Sequence, residues 1–202
     1  MPRLALTTEP TQPATEVAPV SDESLALRLR DGEIGAGEEL AARHYLPLMR
    51  YLHRLVGNEH LAEEIFQATW LSVLDHLDKF NPDTRGNGSS GGFKAWLYRI
   101  ATNKANDHWR SRGRERAAYD GLKLVTDDEA PAAGHRMECS EEEAKLRRLI
   151  EQLPENQRQV LLLRYYSGLK FIDIAKMLGC PLNTALGRMH KAMLKLKQMM
   201  DG

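Results

Sequence analysis

Only two of the 202 residues are cysteine, Cys139 and Cys180, and they match no zinc-ligand spacing or disulfide framework. That usage suits a reducing cytosol. No apolar run approaches the length of a membrane span, and Met1 to Val20 holds no signal-peptide hydrophobic stretch. Neither membrane insertion nor export is therefore expected, and a cytoplasmic location is. Also missing are a glycine-rich phosphate loop, a Gly-x-Ser-x-Gly elbow and a His-Glu-x-x-His pair, while the seven histidines are scattered. No catalytic residues, metal or cofactor are expected. Strand-forming residues are thin and helix formers abound, which predicts an all-α protein; the length suits two small helical domains.

The net charge of zero hides an uneven distribution. Residues 1–80 carry seven Lys and Arg against thirteen Asp and Glu, a balance of −6, and residues 81–120 carry eight against four, a balance of +4. Residues 121–144 then stand at −5 and residues 145–202 at +7. Two basic blocks separated by an acidic connector suit a chain that holds polyanion at two points. Ordinary charge fluctuation would give the same numbers less often.

Residues 1–20, with four prolines among Thr and Ala, lack the apolar groups for a core and are expected to be disordered. Apolar periodicity predicts a first domain over 21–112: a short helix, a turn at Asp31-Gly32, a longer helix ending at Gly57-Asn58, a third from about Glu59 to Phe80, and a fourth from Phe93 to about Arg112. A Gly/Ser-rich loop, 83–92, separates the last two. Residues 113–139 read as a linker. The second domain, 140–200, opens on Ser140-x-x-Glu143, which has the form of a capping box. Helices from Pro154 to Tyr166, over 171–178 and from Pro181 to about Met199 follow, and the last two with their glycine turn make a helix-turn-helix.

Three helix faces carry candidate chemistry. On the third helix, Ala62, Phe66, Trp70, Val73 and Leu77 form the apolar arc, extended by Leu61 and Ile65, and the opposite face shows Glu64, Gln67, Leu71, Asp75 and Asp78. A leucine amid acids has the anatomy of a protein-docking anchor with a polar rim; a solvated face with one stray leucine is the other reading. The fourth helix is expected to bury Phe93, Leu97, Ile100 and Trp96, and to present Tyr98, Arg99, Thr102, Asn103, Asn106, Trp109 and Arg110. Aromatic rings beside amides and guanidinium groups suit unstacked, single-stranded bases, unless Tyr98 and Trp109 pack against a neighbouring helix or the linker. On the last helix Leu182, Ala185, Met189, Met193 and Leu196 are expected inside, leaving Asn183, Thr184, Gly187, Arg188, His190 and Lys191 for a major groove. A basic helix that merely docks on protein is the alternative. His60, Glu63 and Glu64 read as a surface ion-pair group before a metal site, and His135 with Cys139 is weaker still as a sensor.

At these residues the sequence resembles the extracytoplasmic-function group of the sigma-70 superfamily. Ala62-Glu63-Glu64-Ile65-Phe66-Gln67-Ala68-Thr69-Trp70 is similar to the family's polymerase-docking segment. Phe93-x-x-Trp96-Leu97-x-x-Ile100-Ala101-x-Asn103-x-x-x-Asp107-x-x-Arg110 is similar to its promoter-melting helix. Leu153-Pro154-x-x-Gln157-Arg158, Asp173-Ile174-Ala175 and Pro181-x-x-Thr184-x-x-x-Arg188 resemble its C-terminal helix-turn-helix. The resemblance implies a sigma region 2-like bundle that binds core RNA polymerase, with Glu64 and Gln67 in the docking segment, to which the helix face adds Leu71 and Asp75. It implies contact with the melted minus-ten element, with Asn103, Asp107 and Arg110 in the melting helix, to which the outer arc adds Tyr98, Arg99, Asn106 and Trp109. It implies a region 4-like domain that reads duplex minus-thirty-five DNA, with Thr184 and Arg188 in the recognition helix, to which its outer face adds Asn183, Gly187 and Lys191. An anti-sigma factor is an implied partner. Where the family often has Val-Lys-Ser after the threonine, this chain has Ala185-Leu186-Gly187, and Lys170 stands where a capping Ser or Thr is common. The rival function is a helix-turn-helix regulator that binds duplex without polymerase.

Overall fold

Local chemistry sets the helix starts. Ser21 Oγ accepts the amide of Ser24 at 3.2 Å and opens α1 (Asp22–Arg30), whose first turn is acidic and last turn basic, as the helix dipole favours. Following α2 (Ile34–Val56), Asn58 caps α3 (Glu59–Asp75) by accepting the amide of Leu61 at 2.9 Å. A 3₁₀ turn (Leu77–Lys79) leads to α4 (Gly92–Asp120). The second half holds α5 (Glu141–Glu151), α6 (Glu155–Leu162) running into a π turn (Leu163–Ser167), α7 (Phe171–Met177) and α8 (Leu182–Asp201). This computed structural model describes residues 20–82, 92–120 and 141–201. Among the described residues there is no strand. The expected disorder before Val20, the loop 83–91, His135, Cys139 and Ser140 of the expected capping pair lie outside them.

Two boundaries differ from the sequence reading. The third helix stops at Asp75 rather than Phe80, because His76 leaves the helical region at φ −122° and its ring bonds the Ser72 carbonyl at 3.0 Å. The fourth helix runs past Arg112 to Asp120, through Arg114, Glu115, Arg116, Ala117 and Ala118, all strong helix formers.

The first bundle packs Leu25 of α1, Leu40, Leu48, Leu52 and Leu55 of α2, Ile65 and Val73 of α3 and Phe93, Leu97 and Tyr98 of α4 into one core. Phe80 and Phe93, which flank the 83–91 loop, meet edge to face with ring centroids 5.7 Å apart, so both ends of that loop are held. Gly92 opens α4 at φ +46°, and a Cβ there would run into the Glu23 carboxylate, which instead accepts the Phe93 amide at 3.2 Å. The second domain has a small core of its own, Leu149, Leu153, Ala192 and Leu196. Its Val160, Leu162, Leu163, Leu169 and Ile174 join the core of the first.

A titratable joint ties α1 to α2. Asp22 accepts from His44 Nε2 at 2.8 Å and from Arg43 Nη1 at 3.0 Å. Burial holds the His44 ring below the usual histidine range, against the opposing pull of Asp22, and burial also lowers His53. Below the unfolded value of about 6.5 the unfolded chain then takes up protons before the folded one, so stability falls as pH drops through that window. Urea midpoints are expected to decline from pH 7.5 to 5.5, and His44→Gln to flatten part of the decline. An unchanged pH slope in that variant would show the joint to be indifferent to protonation.

Candidate polymerase and nucleic-acid interfaces

The outer face of α3 is as open as its pattern predicts: Glu64, Gln67, Leu71 and Asp75 are all exposed, Leu71 by 63%. Thr69 is buried among the apolar residues, its hydroxyl donating to the Ile65 carbonyl at 2.6 Å, while Phe66 and Trp70 are only half-buried. The reason is a groove of about 550 Å³ between α2 and α3, lined by Ala41, Tyr45, Phe66, Gln67, Trp70, Leu71 and Leu74. Tyr45 and Leu74 escaped the sequence reading, although Leu74 lies three residues from Leu71 and so on its face. The Trp70 Nε1 donor is buried without a hydrogen-bond partner among the described residues. His60 Nε2 lies 3.4 Å from the Glu64 carboxylate on the exposed face, and among the described residues no three His, Cys, Asp or Glu side chains gather as a metal would need.

The fourth helix corrects the expected outer arc. Tyr98 and Thr102 are buried, and Ile100 and Trp96, expected inside, are half-exposed. Thr102 donates to the Tyr98 carbonyl at 2.7 Å, so its single proton is spent and the Tyr51 hydroxyl must donate to Thr102 Oγ1 across 2.8 Å. Burial pushes both phenols, Tyr51 and Tyr98, well above the ordinary tyrosine range. The second domain supplies the cover. Tyr98 Oη faces the Tyr166 carbonyl at 3.4 Å, and Gln159 donates to Asn106 Oδ1 at 2.6 Å. Trp109 packs against the core. What remains outside is a stripe at successive turns, Arg99, Asn103, Asp107 and Arg110, with half-exposed Trp96 at its head and Phe80 5.2 Å from the Trp96 ring. Asp107 and Arg110 pair at 3.1 Å.

In the helix-turn-helix, Gly179 closes α7 at φ +60°, a conformation that suits glycine, and the Pro181 carbonyl accepts the amides of Thr184 and Ala185 as α8 begins. Lys170 provides no side-chain cap for α7. Along α8 the buried positions are Ala185, Ala192 and Leu196. Leu182 and Met193, expected inside, are 41% and 51% exposed, because at 3.6 residues per turn they stand roughly 60–80° from the line of Ala185, Ala192 and Leu196, at the edge of the buried face. Asn183, Thr184, His190 and Lys191 are exposed, and Gly187 and Arg188 half so.

A helix-turn-helix carried beside a helical bundle defines the class as a DNA-binding transcription factor. Residues 40–115 match the family model of sigma-70 region 2, and residues 143–196 that of sigma-70 region 4. The RNA polymerase sigma factor CarQ of Myxococcus xanthus is 32% identical over 180 residues, covering 86% of this chain and 94% of CarQ. The ECF RNA polymerase sigma factor EcfG of Rhodopseudomonas palustris is 32% identical over 146 residues, 72% of this chain and 75% of EcfG. Among solved structures, CnrH in complex with the cytosolic domain of CnrY superposes with a TM-score of 0.64 at 26% identity, over 89% of this chain and 97% of that one. The chain belongs to the sigma-70 family of RNA polymerase sigma factors, in its ECF group. No helix among the described residues is long and apolar enough to cross a membrane.

Proposed function

We propose that this sigma factor acts in the cytoplasm without catalysis of its own, lending core RNA polymerase three separate surfaces. The groove and acidic face of α3, through Glu64, Gln67, Leu71 and Asp75, dock on polymerase. The exposed stripe of α4 holds the opened minus-ten strand, with Trp96 for stacking, Asn103 for base edges and Arg99 and Arg110 for phosphates. The arc of α8, Asn183, Thr184, Gly187, Arg188 and Lys191, enters duplex minus-thirty-five DNA. The observation that carries the proposal is that α4 stripe, which offers a ring, an amide and two guanidinium groups at successive turns. Asn106, held by Gln159 of the second domain, joins this surface when that domain moves off α4, half-exposed Trp109 flanks it, and Tyr98 supports it from the core.

The same groove is open to an antagonist of the anti-sigma kind, and the structural neighbour CnrH is itself solved in complex with another protein, the cytosolic domain of CnrY. Run-off transcription with purified core polymerase on a promoter-fragment library tests the proposal. Enrichment of one two-part motif is expected; duplex binding without polymerase and without transcripts would favour the stand-alone regulator. Within α8, Lys191→Ala is expected to weaken all sequences alike and to lower the salt slope of promoter binding by about one unit. A change in the selected sequence would instead give Lys191 a base contact.

A further inference from the structure

Gly187 sits inside α8, where glycine is among the weakest helix formers. Nothing in the protein calls for it. Its φ is not positive, and a Cβ built on it meets no atom within 4 Å. It lies one turn from exposed Asn183 on one side and exposed Lys191 on the other, in the middle of the solvent arc. Beside it Leu186 is 42% exposed and, with exposed Leu182 and Met193, gives the basic arc an apolar edge. A helix that gives up stability for a bare backbone position, flanked by an exposed leucine, is shaped for a partner that comes close and carries an apolar group.

We propose that Leu186 and Gly187 set the base preference of this recognition helix. Gly187 lets the backbone of α8 approach the base edges within van der Waals distance, and Leu186 packs on the C5-methyl group of a thymine, the one apolar group the major groove displays. This rests on the reading of α8 as the duplex-reading helix. The preferred duplex element therefore contains an A·T pair selected through its methyl group rather than through a hydrogen bond.

The test uses the full chain with core polymerase and a promoter chosen from a library randomised in the upstream duplex element. Replacing each thymine there by deoxyuracil removes only a methyl group. At one position the wild-type holoenzyme is expected to lose about fourfold in affinity, the scale of one buried methyl, and Leu186→Ala to lose nothing further at that position. Gly187→Ala is expected to raise the melting temperature, by helix propensity, yet to weaken promoter binding at least about tenfold, the scale of one mismatched base pair. A higher melting temperature with unchanged promoter affinity, or indifference to every deoxyuracil, would overturn the inference while leaving α8 as the reading helix. Failure of the wild-type holoenzyme to select any upstream duplex sequence would overturn both.

Discussion

The triple substitution Glu64→Arg, Gln67→Arg, Leu71→Ala is expected to weaken association with core polymerase by roughly 100-fold or more, since it reverses the charge of the face and removes its apolar anchor at once. None of the three side chains contributes to the buried side of α3, and Leu71 is 63% exposed. Within the fold the substitution breaks the exposed His60–Glu64 pair, worth at most about 1 kcal/mol. Helicity and melting temperature should therefore hold while co-purification with polymerase fails. A variant that still co-purifies at wild-type yield would remove the docking role from this face and leave the groove beside it as an ordinary gap in packing.

Strand opening should fail in Arg99→Ala, Asn103→Ala, a pair of exposed positions on α4. A hydrogen bond from Arg99 to a charged phosphate is worth about 1.5–3 kcal/mol and one from Asn103 to an uncharged base edge about 0.5–1.5 kcal/mol, so removing both side chains should lower open-complex occupancy by roughly 30- to 2000-fold. Core binding and placement on duplex promoter should survive, because α3 and α8 are untouched. Supplying a mismatched bubble at the minus-ten position should restore part of the activity by removing the unpairing cost. Unimpaired opening of linear promoter by this variant would show that the stripe does not hold the strand. Tyr98→Ala cannot serve in its place. Its ring is fully buried against Tyr51, and truncating a core aromatic costs about 3–5 kcal/mol, a large share of a domain's total stability.

Local sequence made much of this architecture legible: the acidic face of α3, the helix end at Gly57, the glycine turn at Gly179 and the basic arc of α8 are all properties of residues close in sequence. The expected arc on α4 divided because its far side is set by residues 50 to 70 positions away. Tyr166 and Gln159 reach across to Tyr98 and Asn106, and an interaction of that range leaves no periodic trace. Tyrosine adds to the difficulty, since it suits a core as well as a surface when its hydroxyl finds an acceptor. Leu182 and Met193 went astray for the opposite reason. An apolar residue within reach of a helix's inner face is read as buried, yet the face that Ala185, Ala192 and Leu196 bury is narrow and both residues stand at its edge.

Footprinting on one linear promoter, with and without core polymerase, tests the central claim most directly, because the sigma reading and the stand-alone regulator part there. With polymerase present, the account predicts duplex protection around the minus-thirty-five element together with permanganate-reactive thymines at the minus-ten element, and neither signal from the chain alone at the same concentration. Strong duplex protection by the chain alone, unchanged when polymerase is added and never accompanied by reactive thymines, would contradict it.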